Sequence, residues 1–203
     1  VHRLLTRYLF EEGHSVNKNE YEEEMILHGM KTIHRRSTGL LEFVNNYRKL
    51  SRLPNPILAP IKIGDLIGHV RKLFSNKEVK YIYQLENENR ILMLDRSQIE
   101  QVLINLLKNA TEACEGKDNP KIHITSHYQA DKHIFQLTIS DNGCGILPNV
   151  LDKIFVPFFT TKPKGSGIGL SLCKQIINNH GGSISVSSET NKGTSFTLKF
   201  LCK

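Results

Sequence analysis

Three prolines in seven residues, Pro54, Pro56 and Pro60, cut the chain into two parts that cannot share one regular element. Proline lacks an N–H and pushes the preceding residue out of helical geometry, so any helix running up to Leu53 must stop there. Residues 54–60 are therefore expected to be a stiff linker. Upstream, Ile26, Met30, Ile33, Ser37, Leu40, Val44 and Tyr47 fall alternately four and three residues apart. That is a heptad seam with one polar lapse at Ser37, and it predicts a helix from Glu20 to Leu53. A helix of about 34 residues is about 50 Å long and cannot bury such a seam alone. Val1, Leu4, Leu5, Tyr8 and Leu9 predict a first helix over residues 1–12 that folds back on the second. Residues 1–53 would then form a helical hairpin, with a second copy completing a four-helix bundle. The first helix covers only about a third of its partner, so roughly 20 residues of antiparallel helix are expected upstream of Val1. The alternative is that a partner chain or the second domain shields the remainder.

The 203 residues, 39% hydrophobic, suffice for one sizeable core, which the hairpin leaves to residues 61–203. A formal net charge of +7 raises the question of nucleic acid. The basic residues are scattered, however, with no run longer than Arg35-Arg36, and solvated faces plus a polyphosphate ligand account for the surplus. No nucleic-acid partner is expected. The four cysteines, Cys114, Cys144, Cys173 and Cys202, have no Cys-x-x-Cys spacing and read as reduced thiols of a cytosolic compartment. No apolar run approaches the roughly 18 residues of a membrane span and no signal peptide opens the sequence. A cytoplasmic location is expected, that of the cytoplasmic part of a membrane-anchored sensor included, with no membrane contact within these residues.

In residues 61–203 the pattern predicts a helix over 64–74 and strands over 79–85 and 91–94. Asp95-Arg96-Ser97-Gln98 is a capping box that opens a helix to about Cys114. Two alternating strands follow, 121–127 and 133–140, the second delivering Asp141 at its end. A helix ending at Asn179-His180-Gly181-Gly182 and strands over 183–188 and 194–201 complete the set. The expected fold class is α+β, an α/β sandwich in which a mixed sheet is covered on one face by three helices.

The chemistry concentrates between Asp141 and Leu170. Asp141-Asn142-Gly143-Cys144-Gly145 and Gly165-Ser166-Gly167-Ile168-Gly169-Leu170 bracket Phe155-Val156-Pro157-Phe158-Phe159-Thr160-Thr161-Lys162, and the second turn runs into an apolar helix. Glycines let a backbone approach a ligand closely, and a helix N-terminus offers free N–H groups to phosphate. On the helix from Asp95, Asn105 and Asn109 stand one turn apart in a stripe with Gln98, Gln101 and Glu112. Asparagine is a poor helix former, so the pair is either a solvated stripe or the seat of an amide ligand for magnesium. Cys144 reads as a small residue filling a tight turn, and Pro157-Phe158-Phe159 as part of a packed lid in preference to an exposed docking patch.

Taken together, Gln101-Val-Leu-Ile-Asn105-Leu-Leu-Lys-Asn109-Ala110, Asp141-x-Gly143-x-Gly145, Phe155-x-Pro-Phe158-Phe159-Thr-Thr-Lys162, Gly165-x-Gly167-x-Gly169-Leu170 and Gly193-Thr194-x-Phe196 resemble the N, G1, F and G2 boxes and closing strand of sensor histidine kinases. The resemblance covers about residues 61–203. Residues 20–53, with Ile33-His34-Arg35-Arg36-Ser37, are less specifically similar to the second helix of the dimerisation and phosphotransfer hairpin. The resemblance implies a Bergerat-type site for ATP and Mg2+, a homodimer through the hairpin, and a response-regulator receiver domain as partner. Asn109 would be the metal ligand. Asp141 would take a hydrogen bond from the adenine amino group with help from Thr194, and Gly143 and Gly145 would shape that side. Residues 155–164 would form a mobile lid placing Thr160, Thr161 and Lys162 near the terminal phosphate. Gly165, Gly167, Gly169 and Leu170 would surround the phosphates, and Lys108 is an additional phosphate contact to weigh.

Asn105 and Lys162 are the residues expected to govern the reaction. In the related ATPases, gyrase, mismatch-repair proteins and the heat-shock chaperone, a glutamate one turn before the magnesium asparagine polarises water. Here an amide stands in that place, and an amide cannot serve as a general base. Transfer to a histidine is thus favoured over hydrolysis. The family's acceptor histidine is followed by an acidic residue, and none of the nine histidines here meets that test. The acceptor is expected upstream, and this chain is expected to bind Mg·ATP without phosphorylating itself. A nucleotide-gated interaction module is the alternative, supported by the missing acceptor; a gyrase-type clamp is disfavoured by Asn105.

Overall fold

A computed structural model describes residues 18–51, 53–74, 79–162 and 165–202. The chain divides into two compact units, residues 1–47 and 48–203. The expected helix over residues 1–12 lies outside the described residues. Helix α1, Lys18–Ser51, realises the long heptad segment. Its seam is open to solvent: Ile26, Met30, Ile33 and Leu40 are 62–67% exposed, and Val44 and Tyr47 are exposed as well. Apolar side chains at that spacing want a helical partner.

The second unit builds its elements in the order β1 (Ala59–Lys62), α2 (Ile63–Leu73), β2 (Lys80–Leu85), β3 (Ile91–Leu94), α3 (Arg96–Ala113), β4 (Lys121–Gln129), β5 (Ile134–Asp141), α4 (Pro148–Leu151), α5 (Gly169–Asn179), β6 (Ser183–Glu189) and β7 (Gly193–Leu201). Five strands form one sheet in the order β2-β4-β5-β7-β6, in which β2 runs parallel to β4 and the other pairs are antiparallel. The α+β class predicted from sequence is the observed one.

Alternation along the strands decides which face is covered. Ile122 and Ile124 of β4, Phe135, Leu137 and Ile139 of β5, and Phe196, Leu198 and Phe200 of β7 are buried on one face. They meet Val102, Leu103, Leu106 and Leu107 of α3 and Leu172, Cys173, Ile176 and Ile177 of α5. Each large side chain so buried contributes about 1.5–3 kcal/mol. The opposite face carries His123, Thr125, Gln136, Thr138, Ser140, Ser195 and Thr197, the partly covered polar half of the same alternation.

Two elements differ from expectation. The last residues of the predicted linker, Ala59 and Pro60, open β1, which pairs antiparallel with β3 through Pro60↔Met93 and Ile61↔Leu92. Proline is tolerated because this two-stranded ribbon leaves an edge on which no N–H is required. The remainder of the stretch is tied down: Gln98 Nε2 donates to the Pro54 carbonyl at 3.0 Å and Ile57 N to Asp95 Oδ2 at 2.9 Å. The one-turn α4, with proline in its first turn, was not anticipated.

Candidate nucleotide site

Helix α3 supplies one wall. Its N-terminus is capped by Asp95, whose Oδ1 accepts from Gln98 N at 3.1 Å; the return half of the expected capping box does not form, because the Gln98 side chain donates to the Pro54 carbonyl and Asp95 N–H goes to His180. Burial works to raise the Asp95 carboxyl, but hydrogen bonds from Ile57 N, Ser97 Oγ and Gln98 N hold it below the ordinary value. Asp95 N donates to His180 Nε2 at 3.0 Å, joining the start of α3 to the end of α5.

With its apolar face in the core, α3 turns Asn105, Asn109 and Glu112 to the other side. Asn105 faces α5: its amide carbon is 3.9 Å from where a side chain would begin on Gly169. The Cys173 thiol donates to the Val102 carbonyl at 3.9 Å. Burial pushes that thiol up to about 12, against the lowering influence of the Asn105 side chain, so Cys173 stays protonated and unreactive. One turn on, Asn109 Oδ1 accepts from Lys162 Nζ at 3.2 Å. The same ammonium is ion-paired with Glu112 Oε2. Lys108 Nζ lies 3.9 Å from Glu112 Oε1 and is largely exposed.

Lys162 arrives on the segment after α4. Phe155 anchors that segment edge-to-face on Phe196 at 6.5 Å, with Lys174 Nζ 5.3 Å from the Phe155 ring. Phe158 has φ +66, unusual for a bulky residue, and its N–H donates to the Gly167 carbonyl at 2.9 Å, joining this segment to the glycine turn. Thr160 Oγ1 accepts from Lys162 N at 3.1 Å, and Gly165 N donates to the Lys162 carbonyl at 3.0 Å. Thr161 is exposed, and residues 163 and 164 of the expected lid lie outside the described residues. Gly169 is the first residue of α5, and Leu170 behind it packs against the core.

The opposite wall is the meeting of β5 and β7. Register pairs Asp141 with Thr194, and Asp141 Oδ1 accepts from Gly143 N at 2.9 Å and Thr194 N at 3.3 Å. Burial raises the Asp141 carboxyl above its ordinary value, while those two N–H groups and the charge of Lys162 oppose the rise. Gly143 lies against the Ala113 backbone, to which Cys144 N donates at 3.0 Å. Gly145 has φ +71, and any side chain there would collide with the Glu189 carbonyl; glycine is the only residue free of both penalties. Gly193, at φ +125, is under the same constraint from the Asp141 carbonyl.

Three residues here carry weight that sequence reasoning gave to none of them. Ser188 Oγ accepts from Ile146 N at 2.8 Å, donates to the Gly193 carbonyl at 2.9 Å and lies 2.9 Å from Thr194 Oγ1, so it orders the hydroxyl beside Asp141. Asn142 Oδ1 accepts from Lys121 N at 2.7 Å and its Nδ2 donates to the Asn119 carbonyl at 3.1 Å, clamping the first glycine turn. Glu112 stood on the Asn105–Asn109 stripe with no role attached. Only Glu112 had a local signal, its helical spacing; the Ser188 contacts depend on strand register.

Residues 94–203 match the family described as histidine kinase-, DNA gyrase B- and HSP90-like ATPases. The putative sensor histidine kinase NtrY-like of Rickettsia conorii is 32% identical over 174 residues, which is 84% of this chain and 28% of that protein. Sporulation kinase A of Bacillus subtilis is 37% identical over 150 residues, 72% of this chain and 24% of its own length. The chain thus spans about a quarter of these relatives. Among solved structures, the catalytic domain of histidine kinase ThkA is similar with a TM-score of 0.63 at 36% identity, over 71% of this chain and 95% of that one. ThkA in complex with response regulator protein TrrA is similar with a TM-score of 0.67 at 27% identity, over 97% of this chain and 56% of that one. With more than half its length inside the matched region and Asn109, Asp141 and the glycine turns gathered on one site, this chain belongs to the family of histidine kinase-, DNA gyrase B- and HSP90-like ATPases.

Proposed function

We propose that this chain is the Mg·ATP-binding catalytic part of a sensor histidine kinase, which delivers the terminal phosphoryl group to a histidine for relay to a response-regulator aspartate. The observation that carries it is the reach of Lys162, which hydrogen-bonds Asn109 on one wall while its charge is felt by the Asp141 carboxyl on the other. Adenine would sit at Asp141, its amino group donating to the carboxylate, with Thr194 and Ser188 fixing the neighbouring hydroxyls. Gly143 and Gly145 would admit the ring against bare backbone. Asn109 Oδ1 already faces a cationic group, so its oxygen suits a divalent cation whose remaining ligands are phosphates and water. Bound there, magnesium would supply neutralisation of phosphate charge.

Gly165, Gly167 and Gly169, Thr160, Thr161, Leu170 and the start of α5 would receive the phosphates, with Lys162 at the terminal one. Asn105, an amide of α3 that faces the start of α5, can hydrogen-bond a phosphate oxygen but cannot take a proton from water. A histidine attacks in line without needing a base, so positioning and charge neutralisation suffice. None of the nine histidines of this sequence is proposed as the acceptor. The exposed seam of α1 supports a homodimer, and the ThkA–TrrA structure supports a receiver domain as partner.

The test is incubation with γ-labelled ATP and Mg2+ beside a helical hairpin bearing a His-Glu acceptor. Acid-labile label on the hairpin, lost in Asn109→Ala and Asp141→Ala, is expected. ATP binding with no label would favour the interaction module, and release of phosphate without label would favour a hydrolase.

A further inference from the structure

Lys162 has two partners on α3, and only one of them belongs to the nucleotide site as proposed above. Asn109 is the proposed metal ligand. Glu112, one turn further along the same stripe, is a carboxylate that pairs with the Lys162 ammonium while Lys108 approaches its other oxygen. Two of the three N–H donors of Lys162 are committed to α3 and its charge is paired with Glu112, so a terminal phosphate has to compete with Glu112 for it.

We propose that Glu112 is a positioning residue that docks Lys162 onto α3 in the nucleotide-free protein and hands it to the terminal phosphate of ATP. The segment is fixed at its other end by Phe155 on Phe196, so the Lys162–Glu112 pair is the latch that keeps the chain between them folded down beside Asn109. ADP lacks the phosphate that would draw Lys162 away, so with ADP the latch stays closed. Glu112 thereby sets how strongly the site distinguishes ATP from ADP. This inference rests on the nucleotide reading of the site.

The pair is partly exposed, 45% at Lys162 and 34% at Glu112, which limits the effect to about two- to fivefold. Glu112→Gln keeps the shape and removes the competing charge. Calorimetric titration of the variant should show Mg·ATP binding about two- to fivefold tighter than in wild type and Mg·ADP binding unchanged. Backbone hydrogen exchange over residues 155–162 in the nucleotide-free protein should quicken in Glu112→Gln, and the charge swap Glu112→Lys with Lys162→Glu should restore protection while Mg·ATP binding falls below wild type, the cation at position 162 being gone. Unchanged exchange together with an unchanged ATP-to-ADP ratio overturns the latch. Weaker Mg·ATP binding in Glu112→Gln also overturns it and makes Glu112 part of the cation site instead. A wild-type chain that binds neither nucleotide overturns the underlying reading, an outcome distinct from a latch that fails in a protein that binds both.

Discussion

The two walls of the site solve the problem of waiting for a ligand in opposite ways. At the β5–β7 wall, Asp141 is fixed by backbone N–H groups of Gly143 and Thr194, and Thr194 by Ser188, so the wall has its geometry before anything binds. At the α3 wall, Asn109, Glu112 and Lys162 satisfy one another through side chains, contacts that on the proposed reading an arriving phosphate would compete with. Backbone contacts set by strand register give a rigid half; long charged side chains give an exchangeable one. On the proposed reading, recognition of the base would thereby be separated from response to the phosphates.

That contrast is broken most severely at Gly193. Gly193→Ala puts a side chain into the Asp141 carbonyl at φ +125 and is expected to cost about 3 kcal/mol or more, read as a fall of roughly 6–12 °C in thermal unfolding. No substitution at Glu112 or Lys162 should approach that loss. Asn109→Ala should leave stability within about 0.5 kcal/mol, yet lower phosphoryl transfer on the order of 100-fold while ADP binding in the absence of metal changes little. A comparable loss of metal-free ADP binding would mean that the walls are not separable.

The Asp141 carboxyl gives a pH test. Its folded pKa lies above the ordinary 3.8 because burial disfavours the charge. The folded state therefore binds the proton more readily than the unfolded one, and this group's effect on stability worsens as pH rises through the raised value. ATP affinity should move the other way, weakening as pH falls toward that value, because the carboxylate is the proposed acceptor for adenine. The smallest expected effect is structural: Asp95→Ala removes the cap of α3 and should cost about 1 kcal/mol, more at neutral pH than in acid, where protonation below the depressed pKa has already loosened it.

What could be read in advance followed the same division. Strand alternation, the Asp95 cap of α3 and the glycine turns are local patterns, and the fold class and most element boundaries came from them. The strand at Ala59–Lys62 was hidden because Pro60 argues against a strand unless it lies at an edge, which only its partner Ile91–Leu94 reveals. Ser188 looked like any serine in an alternating strand. Its weight comes from β6–β7 register, which sets it opposite Thr194. Lys162 was expected at the phosphates, but its pairing with Glu112 joins residues 50 positions apart and had no sequence signal.

The most direct measurement is a calorimetric titration of wild type and Asp141→Asn with ATP in Mg2+. Asparagine keeps Oδ1 as acceptor for Gly143 and Thr194, so the variant should fold with stability equal to or above wild type, the buried charge being gone. A single site in wild type that weakens about 10- to 100-fold in the variant is the predicted result, the loss of one charged hydrogen bond. Equal affinity in the two proteins, or no binding to wild type, would contradict the assignment of this wall to adenine.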